Sequence, residues 1–217
     1  MESMTRKVDM SHGLKACRGF VTLALLAAGL LGAPSTVAAQ TASQAKAVQA
    51  TVPGATVLGI TLPGTTTVLA GTGALPPGST GALEASSVAG TVPSLVSGDS
   101  LHATVIGLPG EASSEASLAS LGLSVGGNTI SADFIMAGAR AVTGAGGSGS
   151  SDIDGLSING VRIPVTGAPN QTIPIVGGTV VLNEQQTGAG GAVVNALHVI
   201  VTGVADVVVA SAIAATP

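Results

Sequence analysis

Glu184 and His198 are the pair of residues whose side chains could act as acid and base in a hydrolase. If the glycine-rich turn between them is centred near position 189, Glu184 lies opposite Val194 and His198 lies opposite Val180. The two side chains then share one face of a hairpin but stand about 13 Å apart at ~3.3 Å per residue, which is too far for a dyad. A different strand register would bring them together, so a hydrolase stays open as the less favoured alternative to a hydrogen-bonded structural histidine.

A second candidate site is the acidic pair Asp152 and Asp154, which precedes Gly155 and resembles the start of a calcium-binding loop. Such loops place oxygen ligands at alternate positions and end on a glutamate that binds the ion with both oxygens. The sequence supplies no glutamate at that later position. The two aspartates are therefore weak metal candidates only, and neither a metal nor another cofactor is expected.

The first 39 residues predict a helical signal peptide. Basic residues precede the apolar run 20–31, and a Val-Ala-Ala stretch provides small residues for cleavage after Ala39. The apolar run is shorter than the roughly 20 residues of a membrane-spanning helix, and no Arg-Arg pair is present, so we expect the general secretory route. The protein would be secreted, then released or held at the cell surface. Translation from Met1 and from Met10 both fit this pattern.

Cleavage after residue 39 would leave a strongly acidic protein. Its Lys and Arg residues are then Lys46, Arg140 and Arg162, three cations against nine carboxylates, which gives a net charge of about −6. Three cations cannot neutralise a run of phosphates, so nucleic acid is excluded as a partner. The two arginines are expected to pair with Asp133 or Asp154.

The mature chain is predicted to form one β-rich domain, residues 50–217, after a polar leader, residues 40–49. β-branched runs are cut by glycine and proline every eight to twelve residues, which is typical of an all-β domain. An antiparallel β-sandwich is the favoured fold, with a β-roll or a solenoid-like stack as the alternative. The apolar stretch 192–215 is interrupted by polar residues, so it predicts two buried strands and no transmembrane span. Residues 144–151 predict a glycine–serine linker or long loop.

Turn chemistry predicts two hairpins. Asn159-Gly160 is the pair best suited to a type I′ turn, because both central residues of that turn need positive φ. Gly126-Gly127 predicts the other, and the apolar residues around it alternate, which would place them all on one sheet face. These residues are Leu121, Leu123, Val125, Ile130, Ala132, Phe134 and Met136. Residues 51–57 and 61–68 also look alike at a ten-residue offset, but two copies are too few for a solenoid.

Seven short blocks follow one another along residues 116–199. They are Ala-Ser-Leu-Ala-Ser-Leu (116–121), Ile-Ser-Ala-Asp (130–133), Gly-Ser-Ser (149–151), Leu-Ser-Ile-Asn-Gly (156–160), Pro-Asn with Thr-Ile (169–173), Val-Leu-Asn-Glu-Gln (181–185) and Val-Asn-Ala-Leu-His-Val (194–199). In these blocks the chain resembles the choice-of-anchor P family, exported bacterial proteins with differing C-terminal surface-attachment signals. The match covers most of residues 45–215. It implies a β-rich, exported, surface-associated domain and transfers no catalytic assignment. No anchor is recognised in this sequence, which favours release or retention by a partner.

The polar residues of the last two blocks are the candidate binding site. They are Asn183, Glu184, Gln185, Asn195 and His198, all embedded in apolar strands. Polar residues in such positions form either an internal hydrogen-bond network that fixes strand register or a ligand site, and the network is favoured.

The sequence therefore predicts a non-enzymatic, secreted or surface-associated β domain with a structural, adhesive or protein-association role in the cell envelope. Its partner and its oligomeric state stay open. A carbohydrate-binding or small-ligand-binding module is the alternative. It would have to rely on hydrogen bonding, because aromatic side chains for stacking are nearly absent.

Overall fold

The computed structural model describes residues 42–57 and 60–216, and the regular elements in these ranges are all β-strands. The predicted signal peptide, residues 1–39, lies outside the described residues. The strands are β1 (Gln44–Val52), β2 (Ala55–Val57), β3 (Ile60–Leu62), β4 (Thr65–Gly71), β5 (Gly81–Val92), β6 (Val96–Leu108), β7 (Glu111–Val125), β8 (Asn128–Val142), β9 (Gly146–Asp154), β10 (Ser157–Ile158), β11 (Val161–Arg162), β12 (Gln171–Ile175), β13 (Gly178–Gly188), β14 (Gly191–Val201) and β15 (Ala205–Ala215).

Two antiparallel sheets pack face to face as a β-sandwich, which confirms the predicted fold class. The six-stranded sheet has the order β12-β13-β14-β15-β1-β4. The seven-stranded sheet has the order β11-β10-β8-β7-β6-β5, with β9 also paired to β8. β14 and β15, which cover the apolar stretch 192–215, lie in the middle of the first sheet and pack on β7, β8 and β9 of the second. That stretch forms two buried strands, as predicted.

The core between the sheets is aliphatic. Alanine, valine, leucine and isoleucine side chains fill it, and the only aromatic residue in the described ranges, Phe134, is partly exposed and lies outside it. The largest fully buried side chains are Leu101, Leu118, Leu123, Ile130, Ile135, Leu156, Leu182, Leu197, Val48, Val105, Val180 and Val194. Small alanine side chains between them allow the two sheets to approach closely, so dispersion and apolar burial hold the domain without aromatic packing.

Both predicted turns are present. Asn159 and Gly160 have φ values of 51° and 77° and join β10 to β11. Gly126 and Gly127 have φ values of 55° and 79° and join β7 to β8, with Val125 opposite Asn128. Positive φ at both central residues is the type I′ geometry that suits the twist of an antiparallel pair.

The polar-leader prediction is wrong for residues 44–49, because they form most of β1. This strand pairs with β15 on one side and β4 on the other, so it lies inside the six-stranded sheet. Ala45 and Ala47 are fully buried, while Lys46 and Gln49 face outward. The polar composition reflects one outward face of a strand.

The linker prediction for residues 144–151 is also wrong, because residues 146–154 form β9, paired along β8. A Cβ atom at Gly147 would overlap the carbonyl group of Gly191, and one at Gly149 would overlap the side chain of Val194. Glycine here lets β9 approach β14 of the opposite sheet closely. The glycine–serine composition thus reflects tight packing between the sheets.

A row of residues across the six-stranded sheet interrupts the regular alternation of inward and outward side chains. The register of the pairs on either side places five residues opposite one another, on β13, β14, β15, β1 and β4: Asn183, Ala196, Ala210, Ala47 and Ala70. We call this row the crease. Asn183, Ala210 and Ala70 have φ values of 51°, 52° and 44°, the left-handed region that strands normally avoid. At the crease two consecutive residues of β13, β14, β15 and β1 are buried. The outward positions therefore switch between odd and even residue numbers there, which we call a change of phase.

The seven-stranded sheet changes phase at a corresponding row. Ser100 on β6 and Ser120 on β7 have φ values of 50° and 52°. On β8 two consecutive residues, Asp133 and Phe134, are not buried, so beyond them the outward positions are even-numbered. Phe134 and Met136 therefore lie on the outer face, and the prediction that they share the inner face with Ile130 and Ala132 is wrong.

Candidate functional site

The crease brings polar side chains together on the outer face of the six-stranded sheet. In a regular strand, outward residues are two apart, but across the crease they are three apart and still adjacent. Asn195 and His198 on β14 are such a pair, and Lys46 and Gln49 on β1 are another, with Lys46 Nζ donating to Gln49 Oε1 at 2.6 Å. Asn195 and His198 form the centre of the candidate site.

Four side chains from three strands form what we call the acid–histidine cluster: Glu184 on β13, Asn195 and His198 on β14, and Asp206 on β15. His198 Nδ1 lies 2.9 Å from Glu184 Oε2, and His198 Nε2 lies 2.9 Å from Asp206 Oδ1. Asn195 Nδ2 donates to the same Glu184 Oε2 at 2.7 Å. The cluster thus connects three neighbouring strands through their side chains.

The electrostatics of the cluster favour a charged pair. The His198 side chain is 15% exposed and that of Glu184 26%, so water screens them only partly. The hydrogen bond with Glu184 raises the pKa of His198, and the hydrogen bond from His198 lowers the pKa of Glu184. Carboxylate oxygens accept hydrogen bonds only, so both ring nitrogens of His198 donate when the imidazole is protonated.

The predicted separation of Glu184 and His198 is wrong. Glu184 lies opposite Asn195 and His198 opposite Val181, because the turn between β13 and β14 is centred between residues 189 and 190, which shifts the register by one residue from the predicted pairing. The register alone would still leave the two side chains on opposite faces. The change of phase at the crease, between Asn195 and His198, brings them to the same face and into contact.

Asn183 and Gln185 belong to a different group. Asn183 Nδ2 donates to the carbonyl of Gly167 at 2.9 Å, and Gln185 Nε2 donates to Asn183 Oδ1 at 2.6 Å. The backbone N–H of Gln185 donates to Asn170 Oδ1 at 3.0 Å. These bonds hold the loop before β12 against β13, so the structure divides the five predicted residues into two groups rather than one site.

Asp152 and Asp154 lie at alternate positions of β9, opposite Met136 and Phe134 of β8. Within the described ranges, no group of three or more histidine, cysteine, aspartate or glutamate side chains is close enough together to hold a metal ion. The position of the two aspartates on a paired strand also differs from the flexible loop that a calcium site of the predicted kind requires.

The arginine prediction is wrong for Arg140. Its guanidinium pairs with Glu111 on the neighbouring strand, with Nε donating to Oε1 at 2.6 Å and Nη2 to Oε2 at 2.9 Å. Its strand position places it opposite Ser113, one diagonal step from Glu111. This bidentate pair holds the pKa of Glu111 below its usual value. The other histidine in the described ranges, His102, lies on the seven-stranded sheet, with Nδ1 3.8 Å from Glu84 Oε1, and takes no part in the cluster.

Sequence reasoning missed Asn128, the buried first residue of β8. Its Nδ2 donates to the carbonyl of Val176 at 2.9 Å, and the Val176 N–H donates to Asn128 Oδ1 at 3.2 Å. One side chain therefore joins the β7–β8 turn of one sheet to the β12–β13 turn of the other. The available signal was an asparagine directly after Gly126-Gly127, where an asparagine is otherwise explained by turn chemistry alone.

A shallow groove of about 420 Å³ lies on the outer face of the seven-stranded sheet. Two rows of residues cross its floor: Thr104, Glu115, Gly138 and Ser150, and beside them Ile106, Ser113, Arg140 and Ser148. Gly138 leaves the middle of the floor open. Four of these eight residues carry hydroxyl groups, and none of the five predicted site residues contributes to the lining.

Taken together, the fold is that of an antiparallel β-sandwich whose main polar cluster is bonded within itself. Comparison with protein-family models, with curated proteins and with solved structures finds no match for this chain. Among the described residues no helix is long and apolar enough to cross a membrane.

Proposed function

We propose that the protein is an exported, non-enzymatic β-sandwich domain with a structural, adhesive or protein-association role in the cell envelope. The observation that carries the non-enzymatic part is the occupation of both ring nitrogens of His198 by carboxylates. A histidine base needs one ring nitrogen free to take a proton from a nucleophile or water. In the acid–histidine cluster both nitrogens instead connect neighbouring strands, which supports a role in strand register.

The location rests on the N-terminal sequence and on the resemblance to the choice-of-anchor P family. A basic segment, an apolar run and a small-residue cleavage site are the three parts of a secretory signal. The predicted acidic mature chain would not bind anionic lipid headgroups by charge. Retention at the cell surface would then depend on a protein partner.

Cell fractionation with N-terminal sequencing tests this location. We expect the protein outside the cytoplasm with Gln40 as its first residue. Leu25→Arg, which places a charge in the apolar run, is expected to leave the full chain inside the cell. Val88→Arg changes an exposed residue of the mature chain and is the matched control, which we expect to be exported normally. Uncleaved wild-type protein in the cytoplasm would contradict the proposal.

The non-enzymatic part is tested with a panel of esterase, glycosidase and peptidase substrates. We expect no turnover above that of the His198→Ala variant. A hydrolytic activity that His198→Ala abolishes while the protein stays folded would overturn the proposal and restore the hydrolase alternative.

A second candidate, binding of a small polyhydroxylated ligand, is supported by the hydroxyl-lined groove on the seven-stranded sheet. Its size lies in the range of small-ligand sites. A glycan array followed by calorimetry on any ligand found tests it. Gly138→Leu would fill the floor of the groove and should abolish binding, and binding that survives this substitution would place the ligand elsewhere.

A further inference from the structure

The hairpin formed by β1 and β4 continues into β2 and β3. Val52 lies opposite Thr65 and Ala55 opposite Leu62, so a single register runs through both pairs of strands. The ladder is interrupted only where Pro53-Gly54 faces Pro63-Gly64. We call residues 53–57 and 60–64 the arm.

The base of the arm is built from proline and glycine facing each other. Continuing the register places Pro53 opposite Gly64 and Gly54 opposite Pro63. A Cβ atom at Gly54 would lie 2.6 Å from the carbonyl oxygen of Leu62, and one at Gly64 would lie 2.9 Å from the backbone nitrogen of Gly54. The strands therefore approach too closely for side chains here, and proline removes two ladder donors. The arm is thereby set apart from the six-stranded sheet.

The arm exposes apolar side chains. Every residue from 52 to 64 whose exposure the structure describes is exposed, and Ile60 and Leu62 are 67% and 55% exposed. No charged residue occurs from position 47 to position 83. A two-stranded ribbon is at best marginally stable by itself in water, and exposed apolar patches of this kind indicate contact surfaces.

We propose that the arm is a dimerisation element, in which the arm of one copy pairs edge to edge with the same arm of a second copy to form a four-stranded sheet. This inference rests on the proposed association role. It names the partner as the chain itself.

The internal pairing of the arm supports a second copy as its partner. Residues 51–57 and 61–68 are near repeats, and in the hairpin they pair with each other. Thr56 Oγ1 lies 3.3 Å from Thr61 Oγ1, and Val57 lies opposite Ile60. Because β2 and β3 are alike in sequence, an edge strand that pairs with the arm of a second copy would lie beside side chains like those it already pairs with in its own arm. A contact between identical surfaces closes as a dimer about a two-fold axis.

The uncharged arm permits contact between two acidic copies, and its unpaired backbone edges favour a second copy over a lipid surface. Two copies of an acidic protein repel each other where carboxylates meet, but the arm carries no charge. A two-stranded ribbon inserted in hydrocarbon would leave the N–H and C=O groups of both its edges unpaired. Pairing with another strand satisfies one of those edges instead.

Sedimentation velocity on protein produced from the full chain, from micromolar to submillimolar concentration, tests the proposal. We expect a dimer for the wild type. Two arm variants should be monomeric: the double variant Ile60→Glu with Leu62→Glu, and a variant in which Asn-Gly replaces residues 53–64 and joins Val52 directly to Thr65. The control Val88→Glu alters a residue that is 88% exposed on β5 and should stay dimeric. A monomeric wild type, or arm variants as dimeric as the control, would overturn the proposal.

Cross-linking gives a second measurement that does not depend on the shortened variant folding. In a Cys17→Ser background the chain has no cysteine. We expect Thr56→Cys and Thr61→Cys to form linked dimers with a short bis-maleimide, and Val88→Cys to remain unlinked. Equal linking of all three would contradict arm pairing, and arm-dependent flotation of a monomer with neutral lipid vesicles would replace it with a membrane contact. These results do not depend on where fractionation finds the protein, so this inference and the proposed function fail separately.

Discussion

Replacing His198 with alanine removes the side chain that links Glu184 on β13 to Asp206 on β15. A hydrogen bond to a charged group contributes about 1.5–3 kcal/mol to stability. Glu184 keeps its 2.7 Å bond from Asn195, so the substitution does not leave its carboxylate unpaired. The Asp206 side chain is 54% exposed, and its bond adds less than about 1 kcal/mol. We therefore expect His198→Ala to lower the free energy of unfolding by about 2 kcal/mol.

Thermal unfolding followed by far-ultraviolet circular dichroism measures this effect. Aromatic absorbance is not a usable probe, because the described residues contain one phenylalanine and no tryptophan or tyrosine. For a domain of this size, about 2 kcal/mol corresponds to a fall in Tm of roughly 4–8 °C. His102→Ala is the matched control. His102 lies 3.8 Å from an exposed glutamate, so its loss should leave Tm almost unchanged.

If the Tm of His198→Ala equals that of the wild type, or is no lower than that of His102→Ala, the assignment of the cluster as a strand-linking network is refuted. A double-mutant cycle with Glu184→Gln then isolates the pair. We expect a coupling of about 1 kcal/mol, since residues in direct contact are not additive. A coupling near zero would show that the loss comes from packing of the imidazole alone.

Three further predictions test the pH dependence of the cluster, the change of phase in the seven-stranded sheet and the packing of β9. Because the pKa of His198 is raised, its stabilising charge is fully present below about pH 6.5 and is lost as pH rises through the raised pKa. The Tm difference between wild type and His198→Ala should therefore shrink in alkaline buffer. In mild acid the difference should persist, because the pKa of Glu184 is lowered and its carboxylate stays charged. Ser120→Gly should raise and Ser120→Val lower the free energy of unfolding, each by about 1 kcal/mol, because Ser120 has a φ of 52°. The opposite order, typical of a regular strand, would contradict the change of phase in the seven-stranded sheet. Gly147→Ala should lower the free energy of unfolding, measured with denaturant, by more than about 3 kcal/mol. Gly138→Ala is the control and should be almost neutral, because its Cβ would lie 3.5 Å from the nearest atom. Equal effects of the two substitutions would contradict tight packing of β9.

Local chemistry explains why the fold class and the turns could be predicted. Asn159-Gly160 and Gly126-Gly127 require the positive φ values that only such residues adopt at low cost, and each joins two strands as expected. The composition of a segment was a poorer guide to its structure where that composition depends on the neighbouring strands. The glycines of β9 permit close approach to β14, and the polar residues of β1 face outward from the middle of a sheet. Neither contact is visible in a single segment of sequence.

The acid–histidine cluster shows why the site was harder to predict than the fold. Period-two reasoning assigns Asn195 and His198 to opposite faces because they are three residues apart. The structure places them on the same face, because Ala196 and Leu197 between them are both buried at the crease. The sequence does carry a trace of this, since Lys46 and Gln49 on β1 also flank two consecutive apolar residues. One such pattern in one strand is uninformative, but the same pattern in strands that pair in register indicates a shared change of phase. Recognising it requires the strand order, so the cluster follows from the tertiary fold.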